Sequence, residues 1–140
     1  MRYTRYENGF TLIEVLIAIV LVGLAIVSLV AANISFTKAN GAGADLSTAE
    51  FLIEQIRELT AMTSYGSLFG YDNADLSPPI GADGVPLPDF AAFRQRITVK
   101  NVSASNFDNL DPTSNFVKVT VKVLLNSKEI SSASWIRAKY

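Results

Sequence analysis

The sequence predicts an α+β fold, in which a long N-terminal helix packs on a small three-stranded antiparallel sheet. Three observations predict it. Residues 10–32 form an apolar run of 23 residues whose only polar members are Thr11, Glu14 and Ser28. Ala49, Leu52, Ile53, Ile56, Leu59 and Thr60 then recur at helical spacing. Three late segments alternate apolar and polar residues, the period of a half-buried strand. The 140 residues therefore divide into one membrane-length segment and one small domain. The helix is expected to be transmembrane in its N-terminal half and amphipathic in its C-terminal half.

The elements follow in order. Residues 1–9, MRYTRYENG, form a charged leader, and its Arg2 and Arg5 favour a cytoplasmic N-terminus. At about 1.5 Å per residue, the apolar run reaches roughly 34 Å as a helix, enough to cross a bilayer core. A membrane segment is expected over residues 10–35. A secretory signal peptide shares the basic start and apolar core. This run is too long for one, and Ala31-Ala32 makes a weak cleavage site. Glu14 is the anomaly, since an ionised carboxylate in a membrane helix costs about 2.5–3.5 kcal/mol on insertion scales. It calls for a partner.

A globular domain is expected over residues 36–140. Gly41 and Gly43, inside residues 38–45, predict a helix bent or interrupted near residues 40–44. The helix resumes near Ser47, where Ser47-Thr48-Ala49-Glu50 fits a capping box, and runs to about residue 62. Residues 63–91 hold Gly66, Gly70, Gly81, Gly84, Pro78, Pro79, Pro86 and Pro88 and read as one long loop. The sheet occupies residues 92–138, with strands at 93–102, 116–125 and 129–137. Asp111-Pro112-Thr113-Ser114 and Asn126-Ser127 supply the connections.

Composition excludes several chemistries. With no Cys there is neither disulfide nor thiol chemistry. With no His the commonest general base and transition-metal ligand are missing. No catalytic constellation or metal pattern stands out, so neither an enzyme nor a cofactor is expected. The net charge of −1 hides an asymmetry: residues 39–91 carry −7 and residues 92–140 carry +5.

That asymmetry suggests candidate sites. Asp72, Asn73, Asp75, Asp83 and Asp89 make the long loop rich in oxygen, and Asp72 with Asp75 would be the calcium candidates. EF-hand spacing is absent, and turn-forming Asp and Asn are the plainer reading. Arg94, Arg96, Lys100, Lys118 and Lys122 would line one sheet face. A solvated face is the first reading, and pairing with a neighbour's acidic half is the second. Nucleic acid is the third, because aromatic residues scarcely interleave the bases. Tyr65, Phe69 and Tyr71 are expected to pin the loop, and Trp135 to lie in the core or an interface.

With the leader and helix in place, Gly9-Phe10-Thr11-Leu12-Ile13-Glu14-Val15 followed by Leu16-Ile17-Ala18 resembles the type IV pilin superfamily, including the pseudopilins of type II secretion. The resemblance covers roughly residues 1–35; the rest is similar only in architecture. It implies that a prepilin peptidase cuts between Gly9 and Phe10 and methylates the new Phe10 amine. It also implies that Glu14 pairs with that amine on a neighbouring subunit and so sets the assembly register. The implied partners are other pilin or pseudopilin subunits, the peptidase and an inner-membrane assembly platform. The implied location is the bacterial inner membrane, with a periplasmic C-terminal domain, and then a filament. The lack of proline before Pro78, the lack of Cys and the small sheet depart from the best-known pilins, and the continuation Glu14-Val15-Leu16-Ile17-Ala18 looks more like minor than major subunits. Glu14 itself argues against the extreme-tip pseudopilin, which typically lacks this acid. The competing readings are a single-pass anchored periplasmic binding module and a DNA-uptake minor pilin.

Overall fold

The computed structural model describes residues 9–139; the leader residues Arg2, Arg5 and Glu7 lie outside the described residues. The chain divides between Ala42 and Gly43 into two compact units. One helix, α1, spans Leu12–Met62.

In the first unit every residue of α1 up to Ala42 is exposed. This stretch is long and apolar enough to cross a membrane. Its hydroxyls are satisfied internally. Ser28 Oγ donates to Leu24 C=O (2.8 Å), Ser35 Oγ to Ala31 C=O (3.0 Å) and Thr37 Oγ1 to Asn33 C=O (2.9 Å). Such bonds to the preceding turn let Ser and Thr sit in a helix without leaving a bare donor.

The expected interruption near residues 40–44 does not occur; the helix is continuous there. A Cβ at Gly41 or Gly43 would meet nothing within 4 Å. Each glycine costs about 1 kcal/mol relative to alanine, too little to end a helix that the flanking residues favour. The expected capping box at Ser47 also fails, because residues 47–50 lie inside α1. Thr48 Oγ1 instead donates to Ala44 C=O (3.0 Å).

In the second unit α1 acquires a buried stripe: Ala49, Leu52, Ile53, Ile56, Leu59 and Thr60. These are the residues that helical spacing selects. The apolar ones join Ile97 and Val99 and the alternating Val117, Val119, Val121 and Val123 in one core, with Leu68 and Ile80. Fully burying one such aliphatic side chain stabilises the unit by about 1.5–3 kcal/mol.

The sheet has four strands, not three, in the order β1-β2-β3-β4: β1 at Ala74–Leu76, β2 at Phe93–Val102, β3 at Phe116–Leu125 and β4 at Lys128–Ala138. All neighbours are antiparallel. The added strand is β1, inside the expected loop. It is three residues with no β-branched side chain, and its partner selects it: Ala74, Asp75 and Leu76 face Ile97, Arg96 and Gln95. The rest of residues 63–91 is not featureless, since it includes 3₁₀ turns at Gly66–Tyr71 and Pro88–Phe90. Asn126 and Ser127, with φ of 50° and 66°, make the two-residue turn between β3 and β4. A register shift between Val123 and Leu124 leaves Ile130 as an extra residue on β4.

Gln95 ties three parts of this unit together. It is fully buried on the helix-facing side of β2. Its Oε1 accepts from Ile80 N–H (2.8 Å), and its Nε2 donates to Leu52 C=O (3.0 Å) and Ile80 C=O (3.1 Å). One amide thus satisfies the loop backbone and a carbonyl of α1 together. Arg137 on β4 does similar work at the end of the helix, where Nη1 donates to the C=O of Thr60 and of Thr63 (2.7 Å). The last turn of α1 has no basic residue of its own, so β4 supplies the cation that its carbonyls favour.

Candidate functional site

The residues singled out by the sequence at the N-terminus lie together. Gly9, Phe10 and Thr11 precede the helix. Thr11 acts as its cap: Thr11 Oγ1 accepts from Glu14 N–H (3.3 Å), and Thr11 C=O accepts from the N–H groups of Glu14 (3.1 Å) and Val15 (3.2 Å). Thr11-Leu12-Ile13-Glu14 has capping-box spacing at the true start of the helix, a signal the sequence reading placed at Ser47 instead. The cap fixes Glu14 in the first turn, where the helix dipole favours a negative charge.

Glu14, Ala18 and Val22 follow one another at four-residue spacing, beside Val15 and Ile19, with Phe10 at the N-terminal end of the groove they line. Phe10 is 82% exposed. The hydroxyls of Thr11 and Ser28 are each engaged within the chain. Among the described residues the Glu14 carboxylate makes no ion pair or hydrogen bond. It is the one polar side chain of residues 10–32 left in that state.

Six bases of the second unit are arranged differently: each meets an acid. Asp72 and Asp75 do not converge on a common point. Asp72 Oδ2 accepts from Lys100 Nζ (2.6 Å) and its Oδ1 from Val99 N–H (2.9 Å). Asp75 Oδ2 bridges Arg96 (3.0 Å) and Arg94 (3.4 Å). Among the described residues no group of three or more acids is placed to hold a metal ion. Lys118 pairs with Asp108 (2.8 Å) and Lys122 with Glu129 (2.8 Å). All five bases of the expected stripe therefore have an acid within the chain.

These contacts shift the carboxylates. Burial pushes the Asp72 carboxyl up, but the Lys100 ammonium and Val99 N–H outweigh it and hold it below the usual range. The Arg96 hydrogen bond, aided by Arg94, lowers Asp75 against a smaller desolvation. Lys118 lowers Asp108, the Thr113 hydroxyl lowers Asp111, and Lys122 lowers Glu129.

The expected aromatic cluster is partly as read. Tyr65 and Phe69 stack edge to face with centroids 5.8 Å apart, and Asn101 Nδ2 donates to Tyr65 Oη (3.1 Å). Trp135 packs against the core with the Arg57 guanidinium over its ring at 5.3 Å. Gln95 and Arg137 escaped the sequence reading. Gln95 interrupts the apolar phase that Ile97 and Val99 continue, and that polar residue on a strand's buried face was the available signal.

Residues 4–32 match the family model described as the prokaryotic N-terminal methylation motif. The chain carries a prepilin-type methylation motif. The motif spans the Gly9–Phe10 junction, Glu14 and the apolar part of α1, and together with that helix it fits a membrane-anchored, pilin-like protein. No curated protein and no solved structure matches the chain significantly. The motif covers about a fifth of the sequence, so it describes the N-terminal segment and not the sheet.

Proposed function

We propose that this protein is a structural minor pilin or pseudopilin subunit, without enzymatic activity, of a type II secretion pseudopilus or a type IV pilus. It inserts in the inner membrane as a single-pass protein with its second unit periplasmic. Prepilin peptidase removes residues 1–9 after Gly9 and methylates the Phe10 amine. The helix from Phe10 then joins a filament core. There the Glu14 carboxylate meets the Phe10 ammonium of a neighbouring subunit.

One observation carries this reading: Glu14, whose carboxylate has no partner among the described residues, lies within the methylation motif on the exposed apolar stretch of α1. Processing creates a cation close by, on a chain end otherwise apolar. Leaving either charge without the other in apolar surroundings is strongly unfavourable, so the pair selects one register. A plain membrane anchor needs no such acid.

The test compares Glu14→Leu and Glu14→Gln with wild type, each expressed with its companion subunits. Both variants should reach the membrane at wild-type levels or above. Both should be lost from the sheared filament fraction. Wild-type amounts of Glu14→Leu in filaments would sink the register role and favour a simple anchor.

A further inference from the structure

The two long edges of the sheet are finished differently. On the first side each outward position of β2 from Gln95 to Asn101 is engaged by the rest of the chain. Gln95 and Ile97 ladder with β1. Val99 N–H donates to Asp72 Oδ1 (2.9 Å), and Asn101 C=O accepts from Asp111 N–H (3.1 Å). Just past the strand, Ser103 N–H donates to Asn109 C=O (2.9 Å). What remains outermost is β1, only three residues long.

On the β4 side none of this occurs. Lys139 N–H donates to Asn115 C=O (2.8 Å), and Ala138 is in register with Phe116. Antiparallel ladders alternate between hydrogen-bonded and open positions. Residues 131, 133, 135 and 137 therefore bond to β3, while Ser132, Ser134, Ile136 and Ala138 turn their N–H and C=O groups outward. Among the described residues nothing bonds to those main-chain groups. Nor is the edge blunted. Residues 131–136 contain no charge and no proline, and the bulge lies at their N-terminal end. Open edges of this length are ordinarily protected, because they template pairing with another strand.

The ends of the edge are positive. Lys128 opens β4 and Lys139 follows it, its ammonium 6.0 Å from the Tyr65 ring centroid; neither is in an ion pair among the described residues, and Glu129 beside Lys128 is already paired with Lys122 (2.8 Å). These charges oppose self-pairing. Antiparallel pairing of two β4 strands about Ala133 sets Lys128 beside Lys139 of the second copy, and parallel pairing sets like against like; pairing about Ser134 sets Lys139 against Glu129, whose carboxylate Lys122 already holds. We propose that the β4 edge accepts an extended strand of a different polypeptide, one carrying carboxylates at both ends of the paired segment. Its main chain would bond to Ser132, Ser134, Ile136 and Ala138, and its acids would meet Lys128 and Lys139. This inference is independent of N-terminal processing.

The test uses the full chain in detergent micelles. The probe is a capped peptide of alternating threonine and valine, as long as β4, with aspartate at both ends; its twin ends in lysine. The aspartate peptide should slow amide exchange at Ser132, Ser134 and Ile136 and bind about tenfold tighter than the twin. Ser134→Pro removes an outward N–H and no ladder bond to β3, so the fold is expected to persist. Its peptide affinity should fall about tenfold. Should that variant not fold, Lys128→Glu with Lys139→Glu decides, and the preference should then pass to the lysine peptide. Equal binding of both peptides by wild type would overturn the proposal. So would undiminished binding to a folded Ser134→Pro, or exchange protection away from β4. Self-association abolished by Ser134→Pro would assign the edge to a second copy and would equally overturn it.

Discussion

The same helix leads two different lives. Between Leu12 and Ala42 every residue of α1 is exposed, most of them apolar. From Gly43 to Met62 one stripe is buried and the other faces carry Glu50, Glu54, Arg57 and Glu58. The second stretch meets its needs within the chain: its apolar face has a sheet, and its C-terminal carbonyls have Arg137. The first meets the needs of its hydroxyls, but among the described residues its apolar surface and Glu14 have no partner. The contrast teaches that contacts within the chain stabilise the second unit and not the first stretch, and that substitutions in the two should act differently on stability.

The largest separation should come from matched aliphatic truncations. Ile56→Ala empties a fully buried site and should destabilise the second unit by about 2–5 kcal/mol in denaturant unfolding. Ile19→Ala, on the exposed stretch, should leave that unfolding unchanged. Equal losses would erase the comparison. Next, Gln95→Leu keeps a similar volume but strands Ile80 N–H and C=O in the core, while Leu52 C=O keeps its helical bond. It should cost about 2–4 kcal/mol by the same assay. A near-neutral result would mean that water replaces the amide. Arg137→Met keeps much of the stem but removes the cation from the end of α1, at a cost of about 1–2 kcal/mol. Amide exchange near Thr60 and Thr63 should rise with it.

The smallest effect is acid sensitivity. Asp72, Asp75, Asp108, Asp111 and Glu129 all have lowered folded-state values. A carboxyl depressed by folding contributes stability that is complete above its ordinary unfolded value. That contribution shrinks as pH falls below it and is gone below the folded value. Unfolding midpoints should therefore drop on acidification into and below the ordinary carboxylate range. Asp75→Asn should flatten part of that drop, and high salt should do likewise because the pairs are half-exposed. A pH-independent midpoint would show that the pairs contribute nothing.

Legibility followed the reach of each signal. The buried stripe of α1 and the strands β2 and β3 were readable because side-chain period alone specifies them. The strand β1 was not, because three residues of weak propensity become a strand only when β2 lies alongside. The break expected at Gly41 and Gly43 overweighted local propensity, and the capping box at Ser47 matched a pattern in a helix that had already begun. Glu14 stood out because a charge within an apolar run is conspicuous without any tertiary knowledge, whereas Gly9 and Phe10 were selected only by the family resemblance. The pairing of Asp72 with Lys100 and of Asp75 with Arg94 and Arg96 was invisible, since it depends on the register of the missed strand.

The most direct measurement is the mass of the membrane-extracted protein, intact and by tandem fragmentation. The account predicts a chain that begins at Phe10 and carries one methyl group on its amine. A chain still beginning at Met1, in cells whose peptidase processes its other substrates, would contradict it and leave Glu14 a charge without a partner.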